Sequence, residues 1–187
     1  TIPSASDGLI DIDALKAAVD ETTAVVMITN PSTLGVFESH IEDLIELVHA
    51  AGALAYYDGA NMNALMGYAS PGRMGFDIAH INVHKTLSTP HGGGGPGAGP
   101  VGVKEFLAEY VSPGLADSGI DPGPLPIKMF FGHVSVLIRA YCYLKTMGGS
   151  GLRCATEDAV LNANYLKVKL QEFIPEAFQG RCMHEFV

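Results

Sequence analysis

The sequence has 187 residues, of which 48% are hydrophobic and 17% charged, a composition that indicates a globular domain with a sizeable core. Its formal net charge of −9, with only 11 Lys and Arg residues, argues against nucleic acid as a partner. The three cysteines lack CxxC spacing and no run is long and apolar enough for a membrane span, so we expect a cytoplasmic protein with reduced thiols.

The first half of the chain alternates between runs of helix and strand spacing. Helices are predicted at 11–20 and 41–51, where apolar residues recur on one face. Strands are predicted at 23–29, 53–57 and 78–83, and polar residues follow each of them. This order is typical of a parallel α/β sheet.

The second half is predicted to contain one more short strand, at 100–103, and two long helices. The helices cover 133–147 and 155–173 and are separated by a glycine-rich segment at 148–151. Residues 113–126 include four prolines and three glycines, which indicates an irregular segment.

Three polar residues, Asn30, Asp58 and Lys85, follow the three predicted parallel strands. Ligands of parallel sheets bind beyond the carboxyl ends of the strands. A lysine directly after a buried strand is unusual, because burying its charge is costly, and it favours a Schiff base to pyridoxal phosphate (PLP) over an exposed loop lysine. Asp58 strengthens this interpretation, since PLP needs a carboxylate facing its ring nitrogen, although an aspartate can equally cap a turn.

A glycine-rich loop at 92–99 follows Lys85 and could hold a phosphate. It has neither the order of a P-loop nor the strand–loop–helix order of a dinucleotide-binding fold. His80, His84 and His91 suggest a metal site, but on one strand face His80 and His84 would be about 13 Å apart. We therefore predict no metal, and we expect His84 to contact the phosphate or the ring.

Three runs of sequence carry a resemblance to a known family: YYDGANMNA (56–64), GFDIAHINVHKT (75–86) and PHGGGGPGAGPVGV (90–103). They resemble the glycine cleavage system P-protein, the PLP-dependent glycine dehydrogenase (decarboxylating), and look closest to subunit 2 of its two-chain bacterial form. The resemblance extends over nearly the whole chain, and we expect the chain to be a fragment of a longer protein.

The resemblance implies an α/β fold, with a mostly parallel sheet flanked by helices, that forms part of the large domain of fold type I PLP-dependent transferases. Residues 1–150 would belong to this PLP-binding domain. Residues 151–187 would form a linking helix and the start of a C-terminal small domain.

The resemblance also implies a role for individual residues. Lys85 would be the catalytic lysine that binds PLP covalently, and Asp58 would pair with the pyridinium nitrogen. Ala60 would lie against the ring, His84 would approach the phosphate or the ring, and Asn30 would approach the ring hydroxyl.

Thr33 and Asn61 are the residues that the resemblance places near the substrate, glycine. The implied reaction is decarboxylation of glycine with transfer of the aminomethyl group to the lipoyl group of the H-protein. The implied partners are the lipoylated H-protein and P-protein subunit 1, in a hetero-oligomer of the bacterial cytoplasm with no nucleic acid or membrane.

Two other interpretations stay open. Another fold type I PLP enzyme, such as a cysteine desulfurase or an amino-acid decarboxylase, also has histidine before the lysine, although the glycine run after His91 argues against both. A non-catalytic scaffold is the second, against which the intact Asp58 and Lys85 argue. We expect the 187-residue piece alone to be inactive and to bind PLP weakly.

Overall fold

A four-stranded sheet forms the centre of the computed structural model, which describes residues 1–95, 97–111 and 132–187. Its first three strands are parallel, and the fourth is antiparallel to the third. The strands lie side by side in chain order: β1 (Val25–Ile28), β2 (Leu54–Gly59), β3 (Ile78–Ile81) and β4 (Val101–Val103). The predicted mostly parallel α/β sheet is confirmed.

Four α-helices and one 3-10 helix accompany the sheet in the described part of the chain. They are α1 (Ile12–Ala18), α2 (Ile41–Ala50), α3 (Val83–Thr86), the 3-10 helix (Glu105–Tyr110) and α4 (Val134–Leu170). The first begins after Asp11, whose side chain accepts a hydrogen bond from the Ala14 N–H at 2.9 Å. No described helix is both long enough and apolar enough to cross a membrane.

The two faces of strand β2 have different surroundings. Its inward residues join the apolar face of α2 in one buried cluster, which includes Ile41, Ile45, Val48, Ala55 and Tyr57. Because side chains alternate along a strand, Leu54, Tyr56 and Asp58 lie on the opposite face, where they are partly exposed. The packed face therefore supplies the core, and the other face carries the polar side chains of interest.

The third strand is shorter than predicted, and Lys85 does not lie directly after it. Strand β3 ends at Ile81 and not at Val83, and Lys85 belongs to the helical turn α3. The turn forms because the Asn82 carbonyl accepts a hydrogen bond from the Lys85 N–H at 3.1 Å. Val83, whose branched side chain suggested a strand, packs against α4 instead. The predicted strand boundary is therefore wrong.

The range α4 comprises two helices that meet at a kink, and the two helices predicted for the second half of the chain are confirmed. Only Gly148 has non-helical angles within it, with φ 60° and ψ −178°. The predicted glycine separator at 148–151 is wrong in length, because a glycine without Cβ can adopt these angles at a single position. The helix also ends at Leu170 and not at Phe173. The domain division at residue 150 stays a prediction, and the segment 113–126 lies outside the described residues.

Asp77, which directly precedes β3, is a buried carboxylate that connects several elements. One oxygen accepts a hydrogen bond from the Ala55 N–H at 2.8 Å and lies 2.7 Å from His49 Nε2. The other oxygen lies 3.2 Å from Lys104 Nζ. Burial raises the pKa of Asp77, but the hydrogen bonds from Ala55, His49 and Lys104 outweigh burial, so the pKa lies below its ordinary value. Asp77 therefore stabilises the fold in its charged form.

Asp77→Asn should lower the stability of the fold at neutral pH. It should also reduce the amount of stability that is lost when the pH falls. Because the pKa of Asp77 is lowered in the folded state, its charge stabilises the fold above the ordinary carboxyl pKa of about 4. That contribution is lost as the pH falls through the folded-state pKa. We expect a loss of about 2 kcal/mol at neutral pH, less than for a fully buried pair because Lys104 is 39% exposed.

Urea unfolding at neutral pH and at about pH 3 measures both effects. Asp158→Asn, at an exposed aspartate of α4, is the matched control. It should change neither the stability at neutral pH nor the loss of stability at low pH. An equal loss of stability at the two pH values would contradict the role given to the Asp77 charge.

Candidate cofactor site

The carboxyl ends of β1, β2 and β3 lie at one edge of the sheet, because these strands are parallel. There, the Met62 N–H donates a hydrogen bond to Thr86 Oγ1 at 3.0 Å. Thr86 is buried and directly follows Lys85. This bond therefore fastens the turn that carries Lys85 to the loop that begins just after Asp58.

In the described residues, Asp58 has one carboxylate oxygen engaged and one without a partner. Its Oδ1 accepts a hydrogen bond from the Ala60 N–H at 3.0 Å and lies 3.2 Å from His80 Nε2. Within the described part of the chain, no group donates to Oδ2. The side chain is 27% exposed, so the carboxylate is open to a ligand. A carboxylate with one fixed and one free oxygen suits a charged N–H donor.

Lys85 presents an amine with no protein partner among the described residues. The residue is exposed, and its Nζ makes neither a hydrogen bond nor an ion pair there. An amine that is not held by a carboxylate can attack a carbonyl group once it has lost its proton. No described residue therefore blocks the Lys85 amine or holds it by charge, and the amine can react with a carbonyl group as predicted.

His84 places a buried ring nitrogen beside the glycine-rich loop. Its Nδ1 has no hydrogen-bond partner among the described residues. A Cβ on Gly97 would lie 3.3 Å from this atom, so glycine permits the close approach of the loop. Burial, followed by the neighbouring His91 and Lys85, lowers the pKa of His84, and the ring is therefore neutral at neutral pH. A buried polar atom without a protein partner is a natural contact for a ligand.

The three histidines are arranged differently from the prediction. His84 lies in α3 and not on β3, so it does not share a strand face with His80. His80 contacts Asp58, whereas the rings of His84 and His91 have their centroids 5.1 Å apart. In residues 1–95, 97–111 and 132–187, no three His, Cys, Asp or Glu side chains are grouped closely enough to hold a metal ion.

Asn30, Thr33 and Asn61 occupy two loops at this edge. Asn30 is fully buried; its Oδ1 accepts from the Glu38 N–H at 2.9 Å and its Nδ2 donates to the Glu38 carbonyl at 3.3 Å. It thereby closes the loop in which Thr33 is exposed. Asn61 accepts a main-chain hydrogen bond within its own loop. The roles of these three residues toward a cofactor or substrate stay predictions.

Comparison with known proteins identifies the family. Residues 1–96, just over half of the chain, match the family model for aminotransferase class-V. The chain belongs to the aminotransferase class-V family. This is a family of PLP-dependent enzymes, so the site residues can be judged against PLP.

Curated relatives of this class-V chain are named "Probable glycine dehydrogenase (decarboxylating) subunit 2". The Treponema denticola protein is 52% identical and the Caldanaerobacter subterraneus protein 53% identical, each over 100% of this chain and 40% of the relative. The Thermotoga maritima protein is 50% identical over 97% of this chain and 40% of the relative. The predicted resemblance is confirmed, and the chain spans about 40% of the length of these relatives.

Solved structures show the same fold at low sequence identity. A cysteine desulfurase from Thermococcus onnurineus NA1 has a TM-score of 0.67 and 16% identity, over 98% of this chain and 48% of that chain. A NifS-like protein has a TM-score of 0.59 and 19% identity, over 91% and 43%. Together with the class-V match, they confirm the predicted fold of type I PLP-dependent enzymes.

The residues of the class-V chain fit PLP. Among the described residues nothing occupies the Lys85 amine, which can meet the cofactor aldehyde, or Asp58 Oδ2, which can accept a ring N–H. His84 adds a buried ring nitrogen that has no hydrogen-bond partner in the same part of the chain and can bond to an oxygen of the cofactor. Each of the three groups has the chemistry that one part of PLP needs.

Sequence reasoning missed one pair of residues in this class-V site, His80 and Tyr56. From the sequence, His80 is weighed as a metal ligand and, like Tyr56, is otherwise only part of a motif. The detectable signal was spacing, because Tyr56 and Asp58 are two residues apart on a strand and therefore share a face. The contact of Asp58 with His80 depends on the register between β2 and β3, which pairs these two residues.

Proposed function

We propose that the chain is part of a PLP-dependent enzyme that decarboxylates glycine and transfers the remaining aminomethyl group to the lipoyl group of an H-protein. The observation that carries the proposal is the fastening of the Lys85 turn to the loop after Asp58, with the Lys85 amine and Asp58 Oδ2 both unengaged by any described residue. The choice of glycine is supported by the names of relatives that share about half of their aligned residues with this chain.

In this proposal each residue has a defined task. Lys85 would hold PLP covalently through its amine. Asp58 would accept the ring N–H through Oδ2 and so would keep the ring nitrogen protonated. His84 contacts the phosphate or a ring substituent through Nδ1, and Ala60 leaves room for the ring beside Asp58. PLP itself supplies an electron sink for the electron pair that carbon dioxide leaves behind.

The proposal extends to the predicted domains, partners and location. Residues 1–150 would form part of the PLP-binding large domain, and 151–187 would link it to a C-terminal small domain. The words "subunit 2" in the relatives' names support a second subunit as partner. A hetero-oligomer of subunits 1 and 2 in the bacterial cytoplasm, acting with lipoylated H-protein, completes the proposed assembly.

The substrate can be tested through the absorbance of the cofactor. Full-length protein, assembled with its partner subunit and PLP, would be mixed separately with glycine, cysteine and glutamate. We expect glycine alone to change the visible absorbance and to exchange labelled bicarbonate into its carboxyl group. A response to cysteine or glutamate, with none to glycine, would overturn the proposal in favour of a desulfurase or another decarboxylase.

A further inference from the structure

Behind Asp58, on the partly exposed face of the sheet, lies a second polar contact that the proposed function does not use. His80 Nε2 lies 3.2 Å from Asp58 Oδ1, and His80 Nδ1 lies 3.1 Å from the Tyr56 hydroxyl oxygen. The rings of Tyr56 and His80 have their centroids 5.7 Å apart, with planes tilted by 44°. The three side chains therefore form a continuous row, with His80 in the middle.

The two ends of this row hold His80 in different ways. The Tyr56 hydroxyl and His80 Nδ1 share a hydrogen bond whose direction is set by the tautomer of the ring. At the other end, His80 Nε2 faces Asp58 Oδ1 at ion-pair distance, so a hydrogen on Nε2 would lie beside a carboxylate oxygen. Both ring nitrogens of His80 are thereby used, and the ring is held between its two neighbours.

The contacts divide the Asp58 carboxylate into two functionally different halves. Oδ1 receives the Ala60 N–H on one side and His80 on the other, whereas Oδ2 receives nothing from the described residues. The side chains of His80 and Asp58 are 23% and 27% exposed, so water competes only partly for this contact. The two contacts at Oδ1 restrict the side chain and leave Oδ2 as the oxygen available to a ligand.

We propose that His80, oriented by Tyr56, is a positioning residue that fixes Asp58 so that Oδ2 meets the ring nitrogen of PLP. This inference rests on the proposed function, because it requires PLP to be the ligand of Asp58. His80 has no contact with the cofactor in this scheme and acts only through the carboxylate. The effect of His80 must therefore depend on the ring nitrogen, and this dependence separates positioning from simple support of the fold.

The test compares PLP with its carbon analogue, in which C–H replaces the ring nitrogen, on the full-length protein assembled with its partner subunit. We expect wild type to bind PLP more tightly than the analogue. His80→Leu should weaken PLP binding about tenfold, the size expected for loss of one polar contact to a carboxylate, and leave binding of the analogue unchanged. His80→Gln, which restores an N–H donor, should recover most of the affinity for PLP. Tyr56→Phe should weaken PLP binding about threefold and leave binding of the analogue unchanged.

The matched controls are a histidine and a tyrosine whose partners lie outside the row. His40→Gln changes an exposed histidine that pairs with Asp43, and Tyr68→Phe removes a hydroxyl that bonds to Glu157. Neither should change the affinity for PLP or for its analogue. If His80→Leu does not fold, Tyr56→Phe, which removes a single hydroxyl, still decides the question.

The outcomes distinguish this inference from the proposed function. Equal losses for PLP and the analogue, or no loss in either variant, would overturn the role of His80 while wild-type binding of PLP keeps the proposed function intact. If wild type does not bind PLP, or binds PLP and the analogue equally, the pairing of Asp58 with the ring nitrogen is wrong. The proposed cofactor site would then be rejected as well.

Discussion

Lys85→Ala should abolish covalent capture of PLP and lower glycine–bicarbonate exchange by about a thousandfold or more. The fold should be unaffected, because the Lys85 side chain is exposed and makes no hydrogen bond or ion pair with any described residue. The main-chain bond that shapes its turn, from the Lys85 N–H to the Asn82 carbonyl, is available to alanine as well. The effect should therefore be almost purely chemical.

Borohydride reduction of the PLP-loaded, full-length assembly, followed by mapping of the modified peptide, measures the capture. PLP also modifies surface lysines, so only stoichiometric labelling of Lys85 that disappears in Lys85→Ala supports the role. Lys85→Arg tests the chemistry more narrowly, because it keeps the positive charge but its guanidinium stays protonated and cannot form the bond.

Lys145→Ala, at an exposed lysine of α4, is the control for loss of a lysine in general. It should leave labelling and exchange unchanged. Undiminished exchange in Lys85→Ala, with the label on a different lysine, would show that the catalytic amine lies elsewhere in the full-length protein.

The fold was predictable from sequence where burial produces a periodic pattern. Helix α2 has apolar residues at helical spacing and lies where predicted, and β1 and β2 are short apolar runs between polar ends. The pattern failed at Val83 because a branched residue packs equally well in a strand or against another helix. Only the tertiary contact with α4 decides between the two, and that contact is not local in sequence.

In the site, too, residues within a local sequence pattern were predictable, whereas contacts between strands were not. Asp58 was predictable because it comes near the end of an apolar run, and Lys85 because a single lysine follows another such run. His80 as the partner of Asp58 was not, because their contact depends on the register of two parallel strands. A one-residue shift of that register would turn His80 toward the opposite face.

Lys167 is a second example of a residue whose role only the structure reveals. It is buried on α4, and its Nζ donates to the carbonyls of Phe178 and Gly180 at 2.7 and 2.8 Å. It also lies 2.8 Å from a carboxylate oxygen of Glu176, and this pairing with Lys167 lowers the pKa of Glu176. In sequence it is one lysine on a helix, and the carbonyls that it bonds belong to an irregular segment without a pattern.

Gly59→Ala should lower the free energy of unfolding by about 3 kcal/mol, although it adds only one methyl group. A Cβ at Gly59 would stand 1.9 Å from the carbonyl oxygen of His80 and 3.0 Å from its carbonyl carbon. Those atoms belong to the backbone of β3, which cannot move aside as a flexible side chain can. The two strands would have to separate, and the Asn82 N–H would lose its 3.1 Å hydrogen bond to the Gly59 carbonyl.

Gly102→Ala in β4 is the matched control, because it is also a strand glycine and nothing lies within 4 Å of its would-be Cβ. It should change stability by less than about 1 kcal/mol, in either direction. Urea unfolding of the two variants in the full-length protein makes the comparison. Equal stabilities would mean that β2 and β3 do not approach each other closely at this point.

The Gly59 variant also tests how the sheet serves the site. Gly59 follows Asp58 directly, and the atom that its Cβ would strike belongs to His80. Separation of β2 from β3 should therefore lengthen the contact between Asp58 and His80, and PLP binding should weaken in whatever fraction of Gly59→Ala still folds. Loss of stability with unchanged affinity for PLP would show that the strand spacing supports the fold but not the carboxylate, and would weigh against His80 as its positioning residue.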